Sequence, residues 1–327
     1  MSPNATLPAT YEPHSLHRGE RDWIETNCYV DVWIEILHGL GHEPLAGLGF
    51  TLRTDLEADQ WTFFKFSHDE LYVLYGIDVI ELNPWQSVIV QTVNEVRAGR
   101  IPLVEVDAFF LPDTAGTTYR SVHSKTSIGI TAIDVDARSV SYFHNAGFYV
   151  ATGDDFTGLF PSPEASGNIL PPYIEVVKPQ AGNALVGEAL VGEAVVLLRR
   201  NLRRIPAENP FIRFAKTLST DLDRIRHNGG SDYHDFAFAN FRQFGAAFSL
   251  AAAHLSWLRE SGFVANDAQS FEDAIEAFNG ISSTAKSLQF QSARAAIAGK
   301  VIDVSGKLQQ LIVSWDSGMS ALRSVFG

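Results

Sequence analysis

Apolar residues recur at helical spacing at Val30, Trp33, Ile34 and Leu37, with Asp31 and Glu35 on the other face. The glycines and proline of "HGLGHEP" then end the run. Cys28 falls in the first turn of this helix. Further on, "QWTFFKF" reads as a strand, and "PWQSVIVQTVNEVRAG" as a second helix opened by Pro84 and closed by Gly99. After Gly99 the period changes. "PLVEVDAFFL", "HSKTSIGITAIDVD", "SVSYFHN" and "GFYVAT" are short runs rich in β-branched and aromatic residues, separated by the turn signals "PDTAGTT", "DVDAR" and "NAG". This pattern predicts an antiparallel sheet.

The proline-rich stretch "FPSPEASGNILPPYIEVVKPQ", residues 160 to 180, reads as a boundary. Beyond it the periodicity is helical. "ALVGEALVGEAVVLLRRNLRR" holds a five-residue tandem slip that matches no solenoid, so it reads as one helix with two costly glycines. Further helices are expected over 210 to 227, 232 to 260, 270 to 298 and 300 to 325. The pattern divides the chain into a loose N-terminal arm (1–20), an α+β domain (21–165) and a helical domain (166–327).

At 327 residues and 46% hydrophobic, the chain can bury a sizeable core, which excludes a disordered protein. A formal net charge of −13 disfavours nucleic acid and anionic lipid as partners, since both carry the same sign. With one cysteine no internal disulfide is possible, and no basic segment followed by an apolar one marks a signal peptide. The longest apolar run, "FGAAFSLAAAHLSWL", is too short to span a bilayer. These readings place the chain in the cytoplasm.

A lone buried cysteine is ordinarily a small hydrophobe. At a helix start, however, unpaired N–H groups and the helix dipole favour the thiolate, and the thiolate is the nucleophile. A helix-borne cysteine followed by a sheet that supplies a histidine and then an amide is the chain order of papain-like enzymes. His123 opens a strand, where it can reach a helix terminus as a general base, although an exposed edge histidine would look the same. His144 lies on the following strand beside Asn145. Asn145 fits the residue that orients the imidazole, and the bland account of the same pair is a turn before Gly147.

"NCYVDVWIEILHGLGHEPLAGLGF", "VEVDAFFLP", the histidine before a strand ending in "ID", and "YFHNAGFY" together resemble the N-terminal module of butirosin-type acyltransferases. They resemble more remotely the bacteriocin-processing cysteine peptidases. The resemblance implies a papain-like fold in which Cys28 is the nucleophile, His123 the base and Asn145 the orienting residue. Papain-like enzymes share the oxyanion with a glutamine upstream of the cysteine. Here Glu25, Thr26 and Asn27 stand there, which leaves the Cys28 N–H and either Asn27 or Gln60 as donors. Most of the chain, including "HDFAFANFRQFGAAFSLAAAHLSWL", also resembles a bacterial group of undescribed function whose genes accompany amino acid:carrier protein ligases. That resemblance implies an acyltransferase moving an aminoacyl group from a carrier-protein thioester to an amine or other small acceptor, with phosphopantetheine arriving on the carrier and no cofactor of its own. A cysteine amidase or peptidase, or a non-catalytic carrier-binding partner, are the alternatives.

Two further clusters stand out. Arg199, Arg200, Arg203 and Arg204 form the densest positive group, either a solvated helix end or a dock for an acidic carrier. His227, Asp232, His234 and Asp235 in "HNGGSDYHDF" are accounted for by a turn and a capped helix, so no metal is expected there. No Walker loop follows a strand, and "GLGHEPLAGLGF" does not lie between a strand and a helix as a dinucleotide site requires.

Overall fold

The structure is a computed structural model that describes residues 11–161, 172–180 and 182–327. It is α+β and divides into two compact units. The first holds residues 27–44 and 68–185 together with the arm up to Gly19; the second holds 20–26, 45–67 and 186–327.

In chain order the first unit begins with α1 (Cys28–Gly39), while β1 (Leu56–Glu57) and β2 (Gln60–Trp61) form a minimal hairpin of the second unit. The first unit resumes with α2 (His68–Tyr75), β3 (Ile77–Leu82), α3 (Val88–Arg97) and β4 (Ile101–Asp107). It continues through β5 (Lys125–Asp134), β6 (Ser139–His144), β7 (Gly147–Thr152), α4 (Asp154–Leu159) and β8 (Ile174–Pro179). The six long strands make one sheet in the order β3-β8-β4-β5-β6-β7, antiparallel at every pairing.

Strand alternation gives the sheet two buried faces. Val104, Val106, Ile128, Ile130, Tyr142 and Ile174 point to one, into a core with Leu111, Phe156 and Leu159, against which Val88 and Ile89 of α3 pack. Helix α1 crosses the other face. There a Cβ on Gly129 would lie 2.7 Å from Ile36 Cδ1, and one on Gly39 would lie 2.5 Å from the Phe143 ring, so each close approach requires glycine.

Asp31 and Glu35, the polar stripe of α1, are fully buried. The arm supplies their partners. His17 Nδ1 pairs with Glu35 and its Nε2 stands 3.3 Å from Asp31, while the His14 N–H donates to Glu35 at 3.0 Å and the Tyr11 hydroxyl donates to the same carboxylate. The Tyr11 ring packs 5.4 Å from Phe143. Residues 11–17 are thus fastened to α1 rather than loose, because two buried carboxylates require compensation. The first ten residues of the proposed arm lie outside the described residues.

Three local expectations are corrected. "QWTFFKF" pairs only at Gln60–Trp61, and the helix read as opening at Pro84 starts at Val88 after Ser87. Residues 174–179, read as part of a linker for their flanking prolines, form β8 in the middle of the sheet, where "IEVV" supplies four buried residues. Most of the rest of that proposed linker, 162–171, lies outside the described residues.

The second unit is helical: Gly187–Leu202, Pro210–His227, Tyr233–Ala237, Gln243–Glu260, Ala268–Ile297 and Ser305–Phe326. Its core centres on Trp61, Phe211, Phe214, Phe244 and Phe248 with ring centroids 4.7 to 6.0 Å apart. No described helix is long and apolar enough to cross a membrane.

Burial alone would lower the pKa of His17, but hydrogen bonds and charge from Asp31 and Glu35 outweigh it and hold the imidazolium to about 9. Because this folded value is raised, its contribution to stability is complete below the free-histidine range near 6.5 and is lost as pH rises through about 9. Glu35 runs the other way. Burial opposes its charge, yet the bonds from His17, Tyr11 and His14 lower its pKa, so its contribution fades as pH falls below the usual carboxylate range. Urea unfolding of His17→Ala at pH 6 should therefore show a loss of about 3–5 kcal/mol, the range for orphaning a buried charge. The deficit should shrink above pH 9, and an equal deficit at both pH values would exclude the ionic role.

Candidate active site

Helix α1 begins at Cys28 because Asn27, itself extended (φ −130°, ψ 147°), caps it, its side-chain oxygen accepting from the Val30 N–H at 2.8 Å. This cap sets Cys28, half-buried, against the start of β5. Its thiol meets the Thr126 hydroxyl and the backbone N–H groups of Ser127 and Tyr29. Burial raises the thiol pKa; those hydrogen bonds pull it down, the charge of Asp31 adds to the rise, and the net direction is up. The thiolate expected from the helix start is thus not the resting form. Desolvation exceeds the dipole here, so the thiol needs a base.

An imidazole stands behind Thr126. The Thr126 hydroxyl lies 2.8 Å from His144 Nε2, and His144 Nδ1 lies 2.5 Å from an Asp113 oxygen. The Tyr142 hydroxyl donates to the other Asp113 oxygen at 2.6 Å. The side chains of His144 and Asp113 are 1% and 3% exposed. His144 ends β6, Thr126 is the second residue of the neighbouring β5, and Asp113 sits on the turn Pro112–Thr114. With Nδ1–H directed at Asp113, the imidazole presents Nε2 to the hydroxyl, which can in turn accept from the thiol.

His123 forms a second dyad, with Nδ1 2.5 Å from Asp107 Oδ2. Its side chain is 70% exposed and stacks on Phe109 at 4.4 Å. Asp107, rather than Asn145, is the residue on this ring. Asn145 stands at φ 41° in the tight turn between His144 and Gly147, a backbone conformation that asparagine tolerates. Asn27 is buried and engaged as the helix cap, whereas Gln60 is exposed on the β1–β2 hairpin of the second unit. Arg199 and Arg200 occupy the last turn of Gly187–Leu202, Arg203 caps it and Arg204 follows, all four exposed in the second unit.

A third cluster adjoins Cys28 through its neighbour. The Tyr29 hydroxyl donates to Glu175 at 2.7 Å, the Tyr173 hydroxyl donates to it at 2.6 Å, and His68 Nε2 lies 3.3 Å away. Burial opposes the charge on Glu175, but these three bonds lower its pKa. Among the described residues, no group of three or more His, Cys, Asp or Glu side chains is arranged to hold a metal ion.

Sequence reading did not single out Thr126, Asp113, Asp107 or Glu175. Asp113 sits in "PDTAGTT", where a turn accounts for it, and a threonine inside a strand carries no signal of its own. Only the alternation of His144 with Tyr142 marked both as facing one side of β6, where both reach Asp113.

Two family models match the chain: the DUF1839 N-terminal domain over residues 12–179 and the DUF1839 C-terminal domain over 187–324. No curated protein matches it.

Iodoacetamide labelling across pH should give Cys28 an apparent pKa at or above the ordinary cysteine value. Thr126→Val, which removes a hydrogen bond that favours the thiolate, should raise it further. A wild-type value clearly below the ordinary one would show that the helix dipole outweighs burial after all.

Proposed function

The chain belongs to the DUF1839 family, and we propose that it is a cysteine-dependent acyltransferase working through a thioester on Cys28. One observation carries this reading: His144, held by Asp113, is hydrogen-bonded to the Thr126 hydroxyl that abuts the thiol. A buried carboxylate–imidazole pair aligned through a hydroxyl on the chain's only cysteine is what removal of a thiol proton requires. A cysteine starting a helix laid over an antiparallel sheet also accords with the papain-like arrangement.

In the first half-reaction the thiol proton passes to Thr126 as Thr126 gives its own to His144 Nε2. The sulfur attacks the donor carbonyl, the donor C–S bond breaks, and the leaving thiolate takes a proton from solvent, so that His144 keeps the one received from Cys28. The Cys28 N–H, at the start of α1 where no intrahelical acceptor exists, faces the developing oxyanion. In the second half-reaction an acceptor attacks the Cys28 thioester and frees the thiol. The donor class, an acyl or aminoacyl group on the phosphopantetheine of a carrier protein, rests on the resemblance. With water as acceptor the same groups make a hydrolase.

Incubation with an acyl-N-acetylcysteamine thioester, followed by intact and tandem mass spectrometry, should place the acyl group on Cys28. His144→Gln should slow acylation by roughly 10²- to 10⁴-fold, the range for a general base. An adduct on Thr126, or none, would contradict the assignment.

The exposed arginines at the end of Gly187–Leu202 support docking of an acidic carrier, because guanidinium pairs bidentately with phosphate and carboxylate. Charge reversal at Arg200 and Arg204 should raise KM for a carrier-bound donor, with a loss that shrinks as salt rises. Turnover of the small thioester should stay the same. Equal losses with both donors would assign the arginines to stability.

A further inference from the structure

The two histidine–aspartate dyads differ in one respect that decides their access: His144 is 1% exposed at its side chain, and His123 is 70% exposed. The buried one can meet the thiol only through Thr126 and cannot meet a molecule arriving from solvent. The exposed one lies just before β5, whose first residues flank the end of β6, at the same end of the sheet. In the β4–β5 register Val106 faces Thr126, Glu105 faces Ser127 and Asp107 faces Lys125, so Glu105, Ser127, Asp107 and Lys125 share the sheet face that α1 crosses.

Helix α1 covers that face at Gly129 and begins at Cys28, against Ser127. Beyond its first residue Glu105, Asp107 and Ser127 are half-buried and Lys125 is exposed, its Nζ donating to Glu105 at 2.7 Å. Asp107 is level with Lys125, two residues along from Ser127, or about 7 Å at the strand rise. A separation of about 7 Å is on the scale of an acceptor of a few heavy atoms.

The His123 ring is held as a base must be. Asp107 takes its Nδ1 side, while the other Asp107 oxygen accepts from the Phe109 and Ser124 N–H groups at 3.0 and 3.2 Å. Phe109 stacks on the ring with planes 10° apart. Nε2 has no partner among the described residues.

We infer that His123 is the base of the second half-reaction, accepting a proton from the nucleophile, an amine or water, that resolves the Cys28 thioester. The inference rests on the thioester of the preceding subsection and divides proton transfer between two dyads. As the acceptor's nitrogen or oxygen bonds to the acyl carbon, its proton passes to His123 Nε2. The acyl C–S bond to Cys28 breaks, the thiolate recovers a proton from His144 through Thr126, and His123 releases its own to solvent.

The test uses the full chain acylated with the N-acetylcysteamine thioester and resolves the half-reactions by quenched mass spectrometry. His123→Gln, at an exposed position, should acylate within about twofold of wild type. Resolution by glycinamide or water should fall by about 10²-fold, within the usual range for one general base. Hydroxylamine, nucleophilic without a base, should resolve both proteins equally, and Asp107→Asn should show a smaller version of the same pattern. Resolution by glycinamide unchanged in His123→Gln overturns the inference, as does acylation lost in step with resolution, which would place His123 on the thiol side. A wild type that forms no acyl-enzyme instead overturns the reading of Cys28 itself, and the inference with it.

Discussion

Helix α1 carries two carboxylates, Asp31 and Glu35, into the interior, and one imidazole from the arm, His17, meets both. That compensation is the constraint on which the first unit depends. An uncompensated buried charge costs several kcal/mol, so α1 can lie on the sheet buried from Tyr29 to Leu37 only with the arm in place. Ile36 at Gly129 and Gly39 at Phe143 then fix its height over the strands to the size of a missing methyl group. A helix so constrained places its first residue reproducibly, and that residue is Cys28.

The chemistry at Cys28 follows from burial more than from the helix end. Half-buried, the thiol keeps its proton despite three hydrogen bonds that favour the anion, because removing charge from water outweighs them. Burial also separates the two histidine–aspartate pairs. His144, shielded with Asp113 and oriented by it, is isolated from bulk water and touches Thr126 alone on its Nε2 side. His123, held equally well by Asp107 and Phe109, stands in solvent. Two similar pairs at one sheet end thus differ in access, His144 lying within β6 and His123 in the loop before β5.

The helix start at Cys28, the antiparallel strands from Ile101 to Thr152 and the helices after Gly187 were legible in the sequence, because each is written in local periodicity and local caps. Asn27, Gly39 and Gly41 mark the limits of α1 through backbone chemistry that acts within a few residues. Strand β8 was not legible, since prolines flank it and its burial depends on β3 and β4 arriving from far upstream. The arm was missed for the same reason: His17 reads as a polar residue in a loose segment until Asp31 and Glu35 are buried beside it.

Within the site, sequence alone determined that one thiol stands at a helix start and that His144 lies on a strand, whereas His123, read as opening a strand, lies in the loop two residues before β5. Which histidine reaches Thr126, beside the thiol, was decided by tertiary structure. Thr126 and Asp113 carry no pattern of their own, and they join His144 because strand register and a distant turn bring three separate segments within hydrogen-bonding distance. Asp107 displaces Asn145 from the His123 ring in the same way, since Asn145 is taken up by the left-handed turn that joins β6 to β7. Local periodicity specifies elements because its forces act between neighbours in the chain; partners across strands, and the burial that sets a proton's affinity, exist only once the elements are packed.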